Sequence, residues 1–265
     1  MQGRVLIIAG SDSGGGAGIQ ADIKTVTALN GYAAAAITAL TAQNTQGVFG
    51  VMGIPAPFIR QQIEMVLDDI GADALKTGML HNAEVIQTVV TALGDWPSEV
   101  PLVVDPVMVA KGGAALLEPE ANAAMKELLL PLAAIITPNL PEAEALSGHT
   151  ISSIDDMRRV AEILGKLGAR AVLLKGGHLP GPQVQDLLWS AQSGIEVFAD
   201  ARIETLSTHG TGCTLASGIA TGLAQGMSLR DAVMRARVYV REAIRTAPGY
   251  GKGHGPLNHA HTVRS

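Results

Sequence analysis

A single cysteine, Cys213, stands among 265 residues, so no disulfide forms within the chain. A lone thiol fits a reducing compartment, and a cytoplasmic location is the expectation. Positive charge is not in excess. The net charge is −5, with no basic stripe, which excludes the concentrated positive field that nucleic acid binding needs. Long apolar runs are missing too. No stretch reaches the ~20 apolar residues of a membrane span, and the opening run Val-Leu-Ile-Ile-Ala meets Gly10 too soon for a signal peptide. Aromatic side chains make up only 3%.

What is present is small and aliphatic. Apolar residues amount to 47%, and there are 31 glycines. Such side chains let helices lie close against a sheet, and glycines suit tight turns between strands and helices. Short aliphatic runs at Val5–Ala9, Tyr32–Leu40, Ala74–Thr77, Leu102–Val104, Ala133–Thr137, Ala171–Lys175, Gln185–Trp189 and Ile195–Phe198 predict strands. Most are apolar throughout, as strands covered on both faces are. Helical patterns lie between them, at Ile19–Leu29, Pro57–Ile70, Met157–Leu167 and Leu229–Ala247. The alternation predicts an α/β fold: one domain, 1–265, with a central, mainly parallel sheet and helices on both faces. Segment 109–117 reads as a flap and 249–261 as loop.

Ligands of such sheets bind beyond the carboxyl ends of the strands. After the first strand comes Gly10-Ser-Asp-Ser-Gly-Gly-Gly-Ala-Gly18. Ile19 breaks the dinucleotide spacing, and no Walker A pattern occurs. The turn is either a flexible connection or a backbone approaching a small substrate, and the entropy cost of so many glycines favours the second. Asp22 lies one turn into the next helix, where it aids the helix dipole or faces a ligand. Gln43 follows the second strand and offers both an acceptor and a donor, the complement of an aminopyrimidine edge. Asp105 leaves a strand where a carboxylate can hold Mg²⁺. Asn139 and Glu142 share one face if a helix begins there, either as a cap with an acidic first turn or beside a hydrated metal and phosphates. Lys175 precedes two glycines, within reach of a phosphate or as a surface cation. Finally Gly210-Thr-Gly-Cys213 precedes an apolar helix. Its free N–H groups form an anion site, and a thiol there is expected to have a depressed pKa. The alternative for Cys213 is a small buried hydrophobe.

Together, Gly-Thr-Gly-Cys, Asp105-Pro-Val-Met, Thr-Pro-Asn-Leu-Pro-Glu and the early glycine turn resemble the ribokinase superfamily. Within it they resemble the hydroxymethylpyrimidine (phosphate) kinases of thiamin biosynthesis, from about Val5 to His259. In most of that superfamily the glycine turn ends in an aspartate base, whereas this branch carries cysteine. The resemblance implies a ribokinase-like fold, ATP as donor and Mg²⁺ held by Asp105 and Glu142. It places Asn139 and Lys175 near the ATP phosphates, and Gly210, Thr211, Gly212 and Cys213 in the catalytic anion hole. Gln43 would read the pyrimidine edge, with Met79 and Val107 as walls and Gly10 and Asp22 nearby. Two successive transfers, to the hydroxymethylpyrimidine and to its monophosphate, and a homodimer are implied as well. Arg237 stands where relatives often place lysine. Three other readings follow: a pyridoxal or pyridoxine kinase, a sensor that has lost catalysis, and added redox regulation through Cys213.

Overall fold

The computed structural model describes residues 2–94, 99–110, 113–114, 116–118 and 120–263. The flap expected over 109–117 lies partly outside them. Strands β1 (Arg4–Asp12), β2 (Tyr32–Asn44), β3 (Gly47–Gly53), β4 (Ala74–Thr77), β5 (Leu102–Val104), β6 (Ile135–Ile136), β7 (Ala171–Leu174), β8 (Gln183–Ser190) and β9 (Gly194–Ala201) form one sheet. Their order is β3-β2-β1-β4-β5-β6-β7-β8-β9. The six strands from β2 to β7 run parallel, whereas β3, β8 and β9 pair antiparallel at the edges.

The uniformly apolar strands face cores on both sides. Leu6 and Ile8 of β1 join one buried cluster, while Val5, Ile7 and Ala9 join the other. The first cluster packs under α2 (Ala56–Asp69), α3 (Ala83–Gly94), α5 (Leu140–Ser147) and α6 (Ile154–Lys166). A short helix α4 (Ala121–Ala124), continuing as a π turn over Met125–Leu129, adds to that layer. The second cluster packs under α1 (Gly18–Ala28), α7 (Thr211–Ala224) and α8 (Leu229–Arg245). This is the expected mainly parallel sheet with helices on both faces.

Two differences bear on function. β2 continues to Asn44, because β3 pairs with its second half through Thr41↔Val51 and Ala42↔Gly50. Gln43 therefore lies in a strand and not in a loop. The Ala133–Thr137 run supplies only two strand residues, Ile135 and Ile136. Pro131 and Pro138 flank it closely and leave little backbone free for pairing.

Candidate active site

The carboxyl ends of the parallel strands open into a cavity of about 740 Å³. That size suits a small-molecule ligand. Two glycine-rich turns meet at its rim. The first is organised by Asp12, the last residue of β1. Its carboxylate accepts hydrogen bonds from the N–H groups of Gly14 (2.7 Å), Gly16 (2.9 Å) and Ala17 (2.8 Å). Burial pushes this carboxyl up, but His209 and these N–H groups overcome the effect and hold it below its ordinary value. The second turn carries Gly210, the N-cap of α7, at φ 83°. A Cβ at Gly210 would sit 1.8 Å from the carbonyl oxygen of Gly16. Glycine is required there by both the left-handed backbone and the close approach.

α7 then starts at Thr211, and its first N–H groups lack partners within the helix. Gly210, Thr211, Gly212 and Cys213 all line the cavity. The helix dipole adds partial positive charge at this end, so the turn suits an anion.

Acids and a lysine stand beside it. Lys175 Nζ donates to Asp105 Oδ1 at 3.0 Å and lies 3.9 Å from Glu142 Oε2. Thr137 Oγ1 also donates to Asp105 Oδ1, at 3.0 Å. Asn139 is the N-cap of α5. Its side chain accepts from Glu142 N (2.9 Å), and Glu142 Oε2 accepts from Asn139 N (2.8 Å). The capping box and the cavity wall are thus the same residues. Burial raises the Glu142 carboxyl to about 7, with Asp105 adding to the rise and Lys175 opposing it.

Two buried carboxylates facing a cavity form a donor set that suits Mg²⁺, which binds through one or two carboxylates and shares the rest of its shell with water and phosphates. No group of three or more His, Cys, Asp or Glu suited to a metal occurs among the described residues. Such a cage is not needed for an ion that a triphosphate helps to hold.

Gln43, Gly10, Met79 and Val107 line the same cavity. Gln43 sits at a β-bulge, where the β2–β3 register shifts between Ala42 and Gln43. Bulges re-aim side chains. Ser13 Oγ pins the backbone by donating to Gln43 O and accepting from Gln43 N, both at 2.9 Å. Gly10 leaves room for Met79, whose Sδ would lie 2.9 Å from a Cβ there.

Two expectations are corrected. Asp22 does not line the cavity. It is fully buried behind it, where Oδ2 accepts from Lys76 Nζ (2.8 Å) and Oδ1 from Ser217 Oγ (2.7 Å). Asp22 therefore pairs with a buried lysine and does not face the cavity. The second correction concerns Cys213. Burial raises its thiol to about 12, and the charges of Asp22 and Asp105 also push it upward. Lys76 and the N–H of Gly18 pull it down without reversing the shift. Desolvation and two carboxylates outweigh Lys76 and the Gly18 N–H, so the thiol is raised where a depressed one was expected. This removes the basis for redox sensitivity through a low-pKa thiol.

Sequence reading missed Lys76, Asp12 and His209. Lys76 resembles any strand lysine in sequence, yet it is fully buried and reaches the cavity floor. His209 was in view beside Gly210, and Asp12 lay inside the glycine turn. Only their 2.8 Å contact makes them a pair. Arg237 is committed to Asp186 (2.9 Å) and Asp200 (2.9 Å), with its guanidinium 5.1 Å from the Phe198 ring centre.

The chain is similar to known proteins along most of its length. The profile of the family described as Phosphomethylpyrimidine kinase matches residues 12–258. A hydroxymethylpyrimidine/phosphomethylpyrimidine kinase of Bacillus subtilis is 49% identical over 97% of this chain and 94% of its own. A thiamine biosynthesis bifunctional protein of Geobacter sulfurreducens is 53% identical over 97% of this chain, which spans only 52% of that longer protein. Among solved structures, a phosphomethylpyrimidine kinase from Clostridium difficile has a TM-score of 0.80 at 45% identity, covering 91% of this chain and 99% of its own. An ADP complex of Bacillus subtilis pyridoxal kinase has a TM-score of 0.90 at 37% identity, covering 98% of each chain. Fold and relatives define the class as a ribokinase-like phosphotransferase. Within that class the chain belongs to the phosphomethylpyrimidine kinase family.

Proposed function

We propose that this chain transfers the γ-phosphoryl group of ATP to 4-amino-5-hydroxymethyl-2-methylpyrimidine, and then to the monophosphate so formed, giving the diphosphate for thiamin biosynthesis. One observation carries the reading. The Gln43 amide, with a donor and an acceptor side by side, shares one cavity with the Lys175–Asp105–Glu142 cluster and the N-terminus of α7. A relative solved with ADP supports a nucleotide donor.

In this reading Gln43 pairs with the amino group and ring nitrogen, while Met79 and Val107 wall the ring. Asn139 and Lys175 lie along the phosphates. Asp105 and Glu142 would hold Mg²⁺, which would neutralise phosphate charge. The N–H groups of Gly210 to Cys213 stabilise the charge of the transferring group. The Cys213 thiol keeps its proton at neutral pH, because burial has raised it. The transition state of phosphoryl transfer is largely dissociative, so positioning and charge stabilisation supply the rate and a strong base is not needed.

The chain works as one domain in the cytoplasm, and we propose that it does so as a homodimer. Phe49 and Met52 on edge strand β3, 73% and 60% exposed, give such a dimer apolar surface to bury. The test offers the hydroxymethylpyrimidine, its monophosphate and pyridoxal separately with ATP and Mg²⁺, and identifies products by mass. Diphosphate formed from the monophosphate is the expected result. Turnover of pyridoxal alone moves the protein to vitamin B6 salvage. No turnover with any acceptor makes it a sensor.

A further inference from the structure

The amide of Gln43 has two ends of nearly equal size and opposite polarity. Nε2 lies 3.2 Å from His209 Nε2, and Oε1 lies 3.3 Å from Thr41 Oγ1. The hydrogens of the neighbours decide which end belongs where. Asp12 Oδ2 lies 2.8 Å from His209 Nε2, and a carboxylate only accepts. His209 Nε2 therefore bears a hydrogen and cannot accept one from Gln43 Nε2. That arrangement sets two donors against each other. Thr41 Oγ1 commits its only hydrogen to Ser11 O at 2.9 Å. It faces Gln43 with lone pairs, so Oε1 beside it sets two acceptors together. Turning the amide end over end removes both conflicts: Nε2 then donates to Thr41 Oγ1, and Oε1 lies beside the single Nε2–H that His209 directs chiefly to Asp12.

We propose that Asp12–His209 and Ser11–Thr41 hold the Gln43 amide with Oε1 beside His209 and Nε2 beside Thr41, and that this fixed order selects the amino form of the substrate ring. Oε1 keeps a second lone pair, and Nε2 a second hydrogen, for the cavity. A 4-aminopyrimidine presents an amino donor beside a ring-nitrogen acceptor and matches them. Its 4-oxo counterpart presents a carbonyl acceptor beside a ring N–H donor, the reverse order. To bind that ring the amide must turn and lose both its neighbours.

The surroundings are built to hold this order. Ser13 pins the Gln43 backbone. His209 is buried, its own backbone N–H donates to Gly255 O at 3.1 Å, and a Cβ at Gly16 would lie 2.4 Å from its Cδ2. His209, Asp12, Thr41 and Ser11 are positioning residues, acting through Gln43.

This inference rests on the proposed kinase activity. The test compares phosphorylation of 4-amino-5-hydroxymethyl-2-methylpyrimidine and of its 4-oxo analogue by the wild type, Thr41→Val, Thr41→Ser and His209→Phe. The wild type prefers the amino ring. Thr41→Val keeps the shape but not the hydroxyl, and lowers the preference in kcat/KM about tenfold, the worth of one lost hydrogen bond. The change falls on KM, with kcat for the amino ring held within about twofold, because the reacting groups are untouched. Thr41→Ser restores the preference. His209→Phe lowers it independently, while Asp12 keeps its three backbone donors. Unchanged preference in folded Thr41→Val and His209→Phe overturns the lock and leaves the kinase reading standing. Turnover of neither ring by the wild type overturns that reading, and the lock with it. A neutron structure of the unmodified enzyme with the aminopyrimidine reads the amide directly, and Nε2 facing His209 refutes the proposal whatever the variants do.

Discussion

Iodoacetamide meets a single thiol in this protein, that of Cys213. Only the thiolate reacts, so the rate reports its ionisation. A thiol titrating at its ordinary 9.0 is about one-tenth ionised at pH 8, whereas one raised to about 12 is ionised to roughly one part in ten thousand. The expected rate at pH 8 is therefore about a thousandfold below that of an ordinary thiol. Limited access also slows alkylation, so the decisive quantity is the pH profile. Intact mass measured between pH 7 and pH 10 will show the logarithm of the rate rising with unit slope and no plateau. Lys76→Met, which removes a buried cation that pulls the thiol down, will slow the reaction further. A plateau near pH 8 would refute the reasoning. It would mean that the helix end and Lys76 outweigh burial and the two carboxylates, and that Cys213 is a thiolate able to act as a base.

Other outcomes follow from the same contacts. Glu142 releases its proton near 4.5 when unfolded and near 7 when folded. The folded state binds more protons between those limits, so stability is full below about pH 4.5 and falls as pH rises to about 7. Glu142→Gln will remove that fall in urea titrations across this range and, in the proposed reading of Glu142 as a Mg²⁺ ligand, will lower kcat in saturating Mg²⁺. Lys76→Met alone leaves Asp22 buried without its partner. It will cost about 3–5 kcal/mol in urea unfolding, and Lys76→Met with Asp22→Asn will recover part of it. Gly210→Ala forces a Cβ against the Gly16 carbonyl at a left-handed backbone position. Strain on the order of 1–3 kcal/mol is expected in thermal unfolding. Turnover will fall about a hundredfold or more as the anion turn shifts.

The strands were legible because apolar runs between turn residues leave few other arrangements, and the burial of β1 on both faces shows why they carry no polar alternation. β3 was missed because its glycines and exposed residues carry no burial pattern; pairing with β2 alone makes it a strand. The chemistry of the site was legible where it rests on the backbone. Gly210-Thr-Gly-Cys213 at a helix start, and Asn139 with Glu142 on a first turn, state their geometry in their spacing. Asp22 could not be placed, since its position one turn into α1 does not reveal that Lys76 and Ser217 close over it.

The order of strands and helices, the glycine turns and the identity of the polar residues at strand ends are fixed by the sequence, because they depend on local backbone preference and on the period of burial. Contacts between residues distant in the chain are decided by tertiary structure. Asp12 meets His209 across 197 positions, and Ser217 meets Asp22 across 195. The state of Cys213 belongs with them. A pKa is the sum of desolvation and every nearby charge, and no spacing in the sequence contains that sum.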